Sequence, residues 1–222
     1  MGISLRLLDL FCGAGGASKG YASVFDDVVG IDIRRQPDYP YRFIQGDATT
    51  FPLDGFDLIH ASPPCQDHSK TRFLFNEPDG TGWMLEHTIK RCSDQGLCYV
   101  IENVMGASMP AYPHDFTLCA ASLGPWIQNP RKLFLGKHRK FWCNFPVDPP
   151  DCMCATAKQL GYTMGTMHTN RNGHYTRRDE FTRLMETDWM PNKAMQQALP
   201  PYYTKFIARE FLRFKQWDYL YR

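Results

Sequence analysis

The first 104 residues carry five short apolar runs, RLLDLF, DVVGIDI, YRFIQGD, FDLIHAS and LCYVIENV, and this rhythm constrains the fold more than any other feature. Between the first two runs, ASKGYASVF reads as a short helix. GWMLEHTIKRCSDQG sets Trp83, Leu85, Ile89 and Cys92 at helical spacing before a glycine stop. Strands alternating with helices imply βαβ units, right-handed crossovers and a mostly parallel sheet. Ligands of such sheets bind at the carboxyl ends of the strands. Asp9, Asp32, Asp47, Cys65 and Glu102 are all expected at or just past such ends. After Val104 the pattern loosens. GASMPAYPHDF reads as a proline-interrupted loop, GKHRKFWCNFPV holds one strand, and residues 148–178 show no clear period. DEFTRLMETDWM and AMQQALPPYYTKFIAREFLRF read as helical.

The run DLFCGAGG ends in a glycine-rich turn, which permits positive φ and lets a ligand approach the backbone. It matches neither the dinucleotide Gly-x-Gly-x-x-Gly spacing nor a P-loop. Asp32 follows about twenty residues later, where a carboxylate can accept both hydroxyls of a ribose. Asp47, in QGD, is placed to accept from an adenine amino group. The ordered set fits an adenosine-containing cofactor with no phosphate to bind.

HASPPCQDHSK holds a thiol, Cys65, behind two prolines. Proline fixes its own φ and restricts the residue before it, so Ser62-Pro63-Pro64 has few conformations. Glu102, in IENV, falls on the next apolar run and can sit across a cleft from Cys65. A Cys–Glu pair without a Cys–His dyad suggests thiolate addition to an electron-poor ring, with the carboxyl protonating a ring nitrogen.

With 222 residues, 43% hydrophobic and 14% aromatic, the chain suits one packed domain with at most a small appendage. There is no apolar run of about 18 residues for a membrane helix and no signal-peptide h-region. Eight scattered cysteines form no disulfide framework, which points to reduced thiols and a cytosolic setting. The Cys-x-Cys spacing of Cys152 and Cys154 differs from the usual Cys-x-x-Cys zinc knuckle. Uncommitted thiols are therefore expected there, ahead of a metal site built from Cys143, Cys152, Cys154 and His168 or His174. Net charge is only +2. Lysines and arginines between Arg131 and Arg178, however, far outnumber Asp148 and Asp151, and that segment can face phosphates.

In this order, DLFCGAGG, GID, QGDA, SPPCQ and IENV resemble the DNA cytosine-5 methyltransferases, and most of all their short, bacteriophage-type members. GKHRKF resembles the family's Gln-x-Arg-x-Arg strand, with Arg139 at the second arginine, and MQQALPP its C-terminal Gln-x-x-Asn-(Ala/Val)-x-Pro-Pro element. The resemblance implies a Rossmann-like α/β sheet binding S-adenosylmethionine, with a small irregular C-terminal recognition lobe. It implies that Asp9, Phe11, Gly13 and Gly15 shape the methionine end of the cofactor site, Asp32 the ribose end and Asp47 the adenine end, with Ile33, Ala48 and Pro63 lining the same site. Cys65 would attack C6 of a flipped cytosine, Glu102 protonate N3, and Arg139 contact the base or the attacking centre. The loop after Gln66 would close over double-stranded DNA.

Gln66, Ser69, Lys70, Arg72, Lys137, Arg171, Arg177 and Arg178 are the expected DNA contacts. Lys137 departs from the first arginine of its motif, keeping charge without bidentate geometry. Gln197 departs from the asparagine of the C-terminal element. The expected division is residues 1–145 for cofactor and catalysis, 146–187 for a reduced target-recognition segment, and 188–222 for helices packing back on the first. The implied setting is a monomer in the cytoplasm of a bacterial host, with no membrane partner. The same chemistry on RNA, and a non-catalytic cofactor- or DNA-binding relative, remain open at this point.

Overall fold

A computed structural model of the chain describes residues 4–64, 80–165 and 176–221. Seven strands form one sheet: β1 (Arg6–Leu10), β2 (Asp27–Asp32), β3 (Arg42–Gln45), β4 (Leu58–Ala61), β5 (Tyr99–Val104), β6 (Phe116–Cys119) and β8 (His138–Cys143). Their order is β3-β2-β1-β4-β5-β8-β6. The first five are parallel to their neighbours, and β8 runs antiparallel to both β5 and β6. All five parallel strands therefore deliver their carboxyl ends to one edge. Two short strands, β7 (Leu133–Phe134) and β9 (Thr163–Met164), pair separately.

The apolar runs are nearly continuous because the sheet is covered on both faces. Leu7, Leu58, Val100 and Phe141 point to one side, where they pack with α1 (Gly16–Tyr21) and α7 (Pro201–Tyr221). Leu8, Leu10, Ile31, Ile59 and Ile101 point to the other, against Leu85, Ile89 and Cys92 of α2 (Trp83–Asp94). Helix α7 lies so close to α1 that a Cβ on Gly20 would stand 2.0 Å from the Pro201 carbonyl oxygen and 2.1 Å from Thr204 Oγ1. Thr204 Oγ1 also donates to the Ala17 carbonyl at 2.7 Å. The C-terminal helix thereby fixes the helix that follows the glycine turn. No helix among the described residues is long and apolar enough to cross a membrane.

The later half holds more regular structure than its pattern suggests: β6, β7 and α3 (Ala120–Leu123) lie in a stretch for which no element was expected, and α4 (Cys154–Gln159) and β9 in the segment without a clear period. Each is six residues or shorter, too brief to show a period. DEFTRLMETDWM supplies α5 (Arg178–Met185). AMQQALPP does not continue into the last helix: α6 (Asn192–Gln197) stops before Pro200, and α7 starts afresh at Pro201.

Candidate active site

Four connections leave the carboxyl edge in spatial order: the turns after β3, β2 and β1, then the loop after β4. Asp47 and Ala48 follow β3, and Ile33 follows β2, which ends on Asp32. Phe11 to Gly15 follow β1, and Ser62-Pro63-Pro64 follow β4. Asp32 Oδ2 accepts the Gly13 N–H at 3.1 Å, so the glycine turn is tied to the carboxylate beside it. Beyond it Ile33 is 67% exposed, an apolar side chain left open next to a carboxylate. Asp47 Oδ1 takes both the N–H and the hydroxyl of Thr49 at 2.8 and 2.7 Å. From α2, Arg91 donates to the Ala48 carbonyl at 3.1 Å and His87 bonds the Thr49 carbonyl at 3.1 Å, which buttresses this turn.

The turn after β1 is held against conformational preference. Phe11 has φ 58° and Gly15 φ 84°. A phenylalanine in the left-handed region is strained by roughly 1–2 kcal/mol, and such strain collects where a ligand site needs one backbone path. Asp9 lies inside β1 and is fully buried. Ser18 donates to its Oδ2, and its Oδ1 has no partner among the described residues. Burial raises its carboxyl to about 7, opposed by the Ser18 bond and helped by Asp32. Burial also holds the neighbouring Cys12 thiol far above its usual range, so Cys12 is no competing nucleophile. Tyr39 shares the Ser18 hydroxyl at 2.6 Å, and its ring covers Gly15 and Gly30.

The loop toward Cys65 is anchored from three sides. Ser62 N–H donates to the Leu10 carbonyl at 3.2 Å, and Ser62 Oγ meets His60 Nε2 at 3.1 Å. His60 is buried, with Nδ1 at 3.1 Å from Tyr21 Oη, and burial lowers its pKa to about 3. Asn103 Nδ2 donates to the Pro63 carbonyl at 3.2 Å from the adjacent strand β5. Glu102 falls within β5 rather than at its end. Its Oε1 accepts from Arg139 Nε at 2.7 Å, and both side chains are well sheltered, 10% and 16% exposed. The register explains the pair: Glu102 lies opposite Phe141 and Val104 opposite Arg139, so acid and base are diagonal neighbours on one face.

Cys65, Gln66, Ser69, Lys70, Arg72 and Arg171 lie outside the described residues, as do His168 and His174. The remaining expected DNA contacts have intramolecular roles. Lys137 Nζ donates to the carbonyls of Gln196 and Ala198, at 3.2 and 2.6 Å, capping the end of α6. The two departures from the family motifs therefore meet, because Gln197 sits between those carbonyls with an exposed side chain. Arg177 precedes α5 and pairs with Asp179 and Glu180, while Arg178 reaches the Met190 carbonyl at 3.4 Å. Ser18, Tyr39, His60 and Asn103 were not singled out from sequence. His60 and Asn103 do stand inside the quoted motifs, whereas Ser18 and Tyr39 acquire their roles only through tertiary packing.

A family model described as RNA cap guanine-N2 methyltransferase matches residues 4–39, the glycine turn and second strand. No curated protein matches. Two solved structures align with nearly the whole chain. S. pombe Dnmt2 methyltransferase is 12% identical over 98% of this chain and 99% of that one, with TM-score 0.55. Entamoeba histolytica methyltransferase EhMeth is 9% identical over 96% and 99%, with TM-score 0.53. A Spodoptera frugiperda DNMT2 mutant is 17% identical over 74% of this chain, TM-score 0.43, and the chain spans 56% of that structure's length. The fold is the Rossmann-like fold of the S-adenosylmethionine-dependent methyltransferases.

Proposed function

We propose that the chain transfers a methyl group from S-adenosylmethionine to C5 of cytosine in double-stranded DNA, with Cys65 as nucleophile. The observation that carries this reading is the arrangement on β5, where one strand supplies both Glu102, paired with Arg139 of β8, and the Asn103 anchor of the loop entering Cys65. The turns along the carboxyl edge fit an adenosine-bearing cofactor. Asp32 closes β2 beside an exposed apolar Ile33, and the backbone of the glycine turn is pinned by that same carboxylate. The bound cofactor supplies an electrophilic methyl group on a sulfonium. Phe11 to Gly15, with Asp9 beneath, would take its methionine end, Asp32 and Ile33 its ribose, and Asp47 and Ala48 its adenine, while Pro63 lines the site from the side of β4.

Cys65 as thiolate adds to C6 of a cytosine turned out of the duplex. Glu102 gives a proton to N3, so the displaced electron pair gathers at C5. C5, made electron-rich in this way by Cys65 and Glu102, would be the atom that receives the methyl group the cofactor would supply. A water molecule would take the C5 proton, the C6–sulfur bond would break to release the Cys65 thiolate, and N3 would return its proton to the Glu102 carboxylate, which restores the neutral ring. Arg139 holds the Glu102 carboxyl at its place in the sheet. The prolines limit the loop to one approach, which favours a near-attack geometry.

Residues 146–187 are assigned to target recognition, and Ser69, Lys70 and Arg72 to phosphate contacts. The family model that matches residues 4–39 is described as an RNA methyltransferase, so RNA is the competing substrate. The likeness to bacteriophage-type members rests on the motif set and this short segment. Methyl transfer from labelled S-adenosylmethionine, with duplex DNA and structured RNA in competition, tests the substrate. Label in the DNA supports the proposal, and label in RNA alone overturns its substrate.

A further inference from the structure

At the β8–β6 side of the same carboxyl edge, three cysteines and a histidine from distant parts of the chain converge. Cys119 ends β6, His138 begins β8, Cys152 precedes α4 and Cys154 is its first residue. Their ligand atoms all lie within 4.8 Å of one another. Cys119 Sγ is 3.3 Å from Cys154 Sγ, and His138 Nε2 is 3.3 Å from Cys152 Sγ and 3.9 Å from Cys154 Sγ. A tetrahedral zinc with bonds near 2.3 Å to sulfur and 2.05 Å to nitrogen requires ligand separations of about 3.8 Å between sulfurs and about 3.5 Å between sulfur and nitrogen. The two sulfur–nitrogen separations bracket the latter value, and the Cys119–Cys154 sulfur separation of 3.3 Å is shorter than the former.

Two further observations fit a metal better than four uncommitted side chains. His138 Nδ1 lies 3.1 Å from the Gly136 carbonyl, the outer bond that turns Nε2 toward a metal and fixes the tautomer. An apolar wall of Phe134 and Ala157, with Trp126 and Tyr162 behind, backs the cluster and shields it on one side. Cys143, grouped with Cys152 and Cys154 on sequence, takes no part: its thiol donates to the Phe145 carbonyl at 3.3 Å.

We propose that Cys119, His138, Cys152 and Cys154 bind one zinc ion in a closed Cys3His site. With all four positions filled by protein, the ion has a structural role and no open position for a substrate. It ties the start of the 146–187 segment to β8, one residue from Arg139. This inference rests on the cluster's geometry and stands apart from the methyl-transfer reading. It revises the expectation of free thiols, which the Cys-x-Cys spacing alone suggested.

The test is metal analysis of the full reduced chain, purified without chelator from zinc-containing medium. About one zinc per chain is expected. Cys152→Ser and His138→Ala should each lose it, and Cys143→Ser should keep it. Cobalt exchanged into the native chain should give the thiolate charge-transfer and d–d bands of a tetrahedral site. If single variants unfold, uptake by the native chain from a chelating dye, with amide-exchange protection rising over residues 150–165, decides independently. The proposal is overturned by a native chain that neither carries nor takes up zinc, by a Cys119–Cys154 disulfide in place of the metal, or by full zinc retention in both ligand variants.

Discussion

Asn103 donates its side-chain amide to the Pro63 carbonyl at 3.2 Å, and its own Oδ1 takes the Val104 N–H at 2.9 Å. Both halves of a buried amide are thus committed, one to its own strand and one to the loop that leads to Cys65. Asn103 is a positioning residue. Asn103→Asp removes the donor and leaves an acceptor facing a carbonyl, so the Pro63 loop should loosen. The expected result is a fall in kcat of about 10²-fold, as a displacement near 1 Å gives, with KM for the cofactor little changed. Equal losses in cofactor affinity and rate would assign Asn103 to general stability instead.

Glu102→Gln keeps the size of the side chain and removes the transferable proton. Methyl transfer should drop by about 10²–10⁴-fold, the usual range for a lost general acid. Arg139→Ala should add a stability loss approaching 3–5 kcal/mol, because it strands a sheltered carboxylate. Thermal unfolding beside single-turnover rates separates the two. A Glu102→Gln enzyme with native rates would remove the acid from the mechanism.

Two buried groups give opposite pH dependences. Asp9 is raised to about 7 from 3.8, so between those values the folded chain holds a proton that the unfolded chain has released. Its contribution therefore falls as pH rises through this window, by an amount on the order of a few kcal/mol. His60 is lowered to about 3 from 6.5, so its contribution is full above 6.5 and is lost as pH falls toward 3. Denaturant unfolding across pH 3 to 8 should show Asp9→Asn gaining relative stability toward neutral pH, and His60→Gln gaining it toward acid. Parallel native and variant curves would contradict both assignments.

Gly20→Ala should destabilise the fold, since the added methyl would meet the backbone of α7 at 2.0 Å. Overpacking of this kind costs about 1–3 kcal/mol or more. Gly96→Ala is the control: it has positive φ but nothing within 4 Å of the new methyl, so only the left-handed strain of about 1–2 kcal/mol applies. Chevron or equilibrium midpoints would rank the two, and Gly20→Ala being the milder would contradict the α1–α7 packing.

The half of the fold that positions the site was legible because its strands are buried on both faces and write themselves as apolar runs. Asp32, Asp47 and the glycine turn fell where βαβ logic puts them. Glu102 was expected at a strand end and lies inside β5, because pairing with β8 extends that strand past the acid. Short elements such as α4 and β9 left no period to read. The four proposed zinc ligands were unreadable as a set, since Cys119 and His138 reach Cys152 and Cys154 only through the reversed strand β8. Lys137 looked like a phosphate contact, and only the position of α6 shows its ammonium capping two carbonyls.

The most direct test is single-turnover transfer of labelled methyl from S-adenosylmethionine to mixed-sequence duplex DNA, comparing the native chain with Cys65→Ala. The account predicts label recovered as 5-methylcytosine with the native chain and none with Cys65→Ala, while both still bind the cofactor. Label recovered on any other base or atom, or equal transfer by Cys65→Ala, would contradict it.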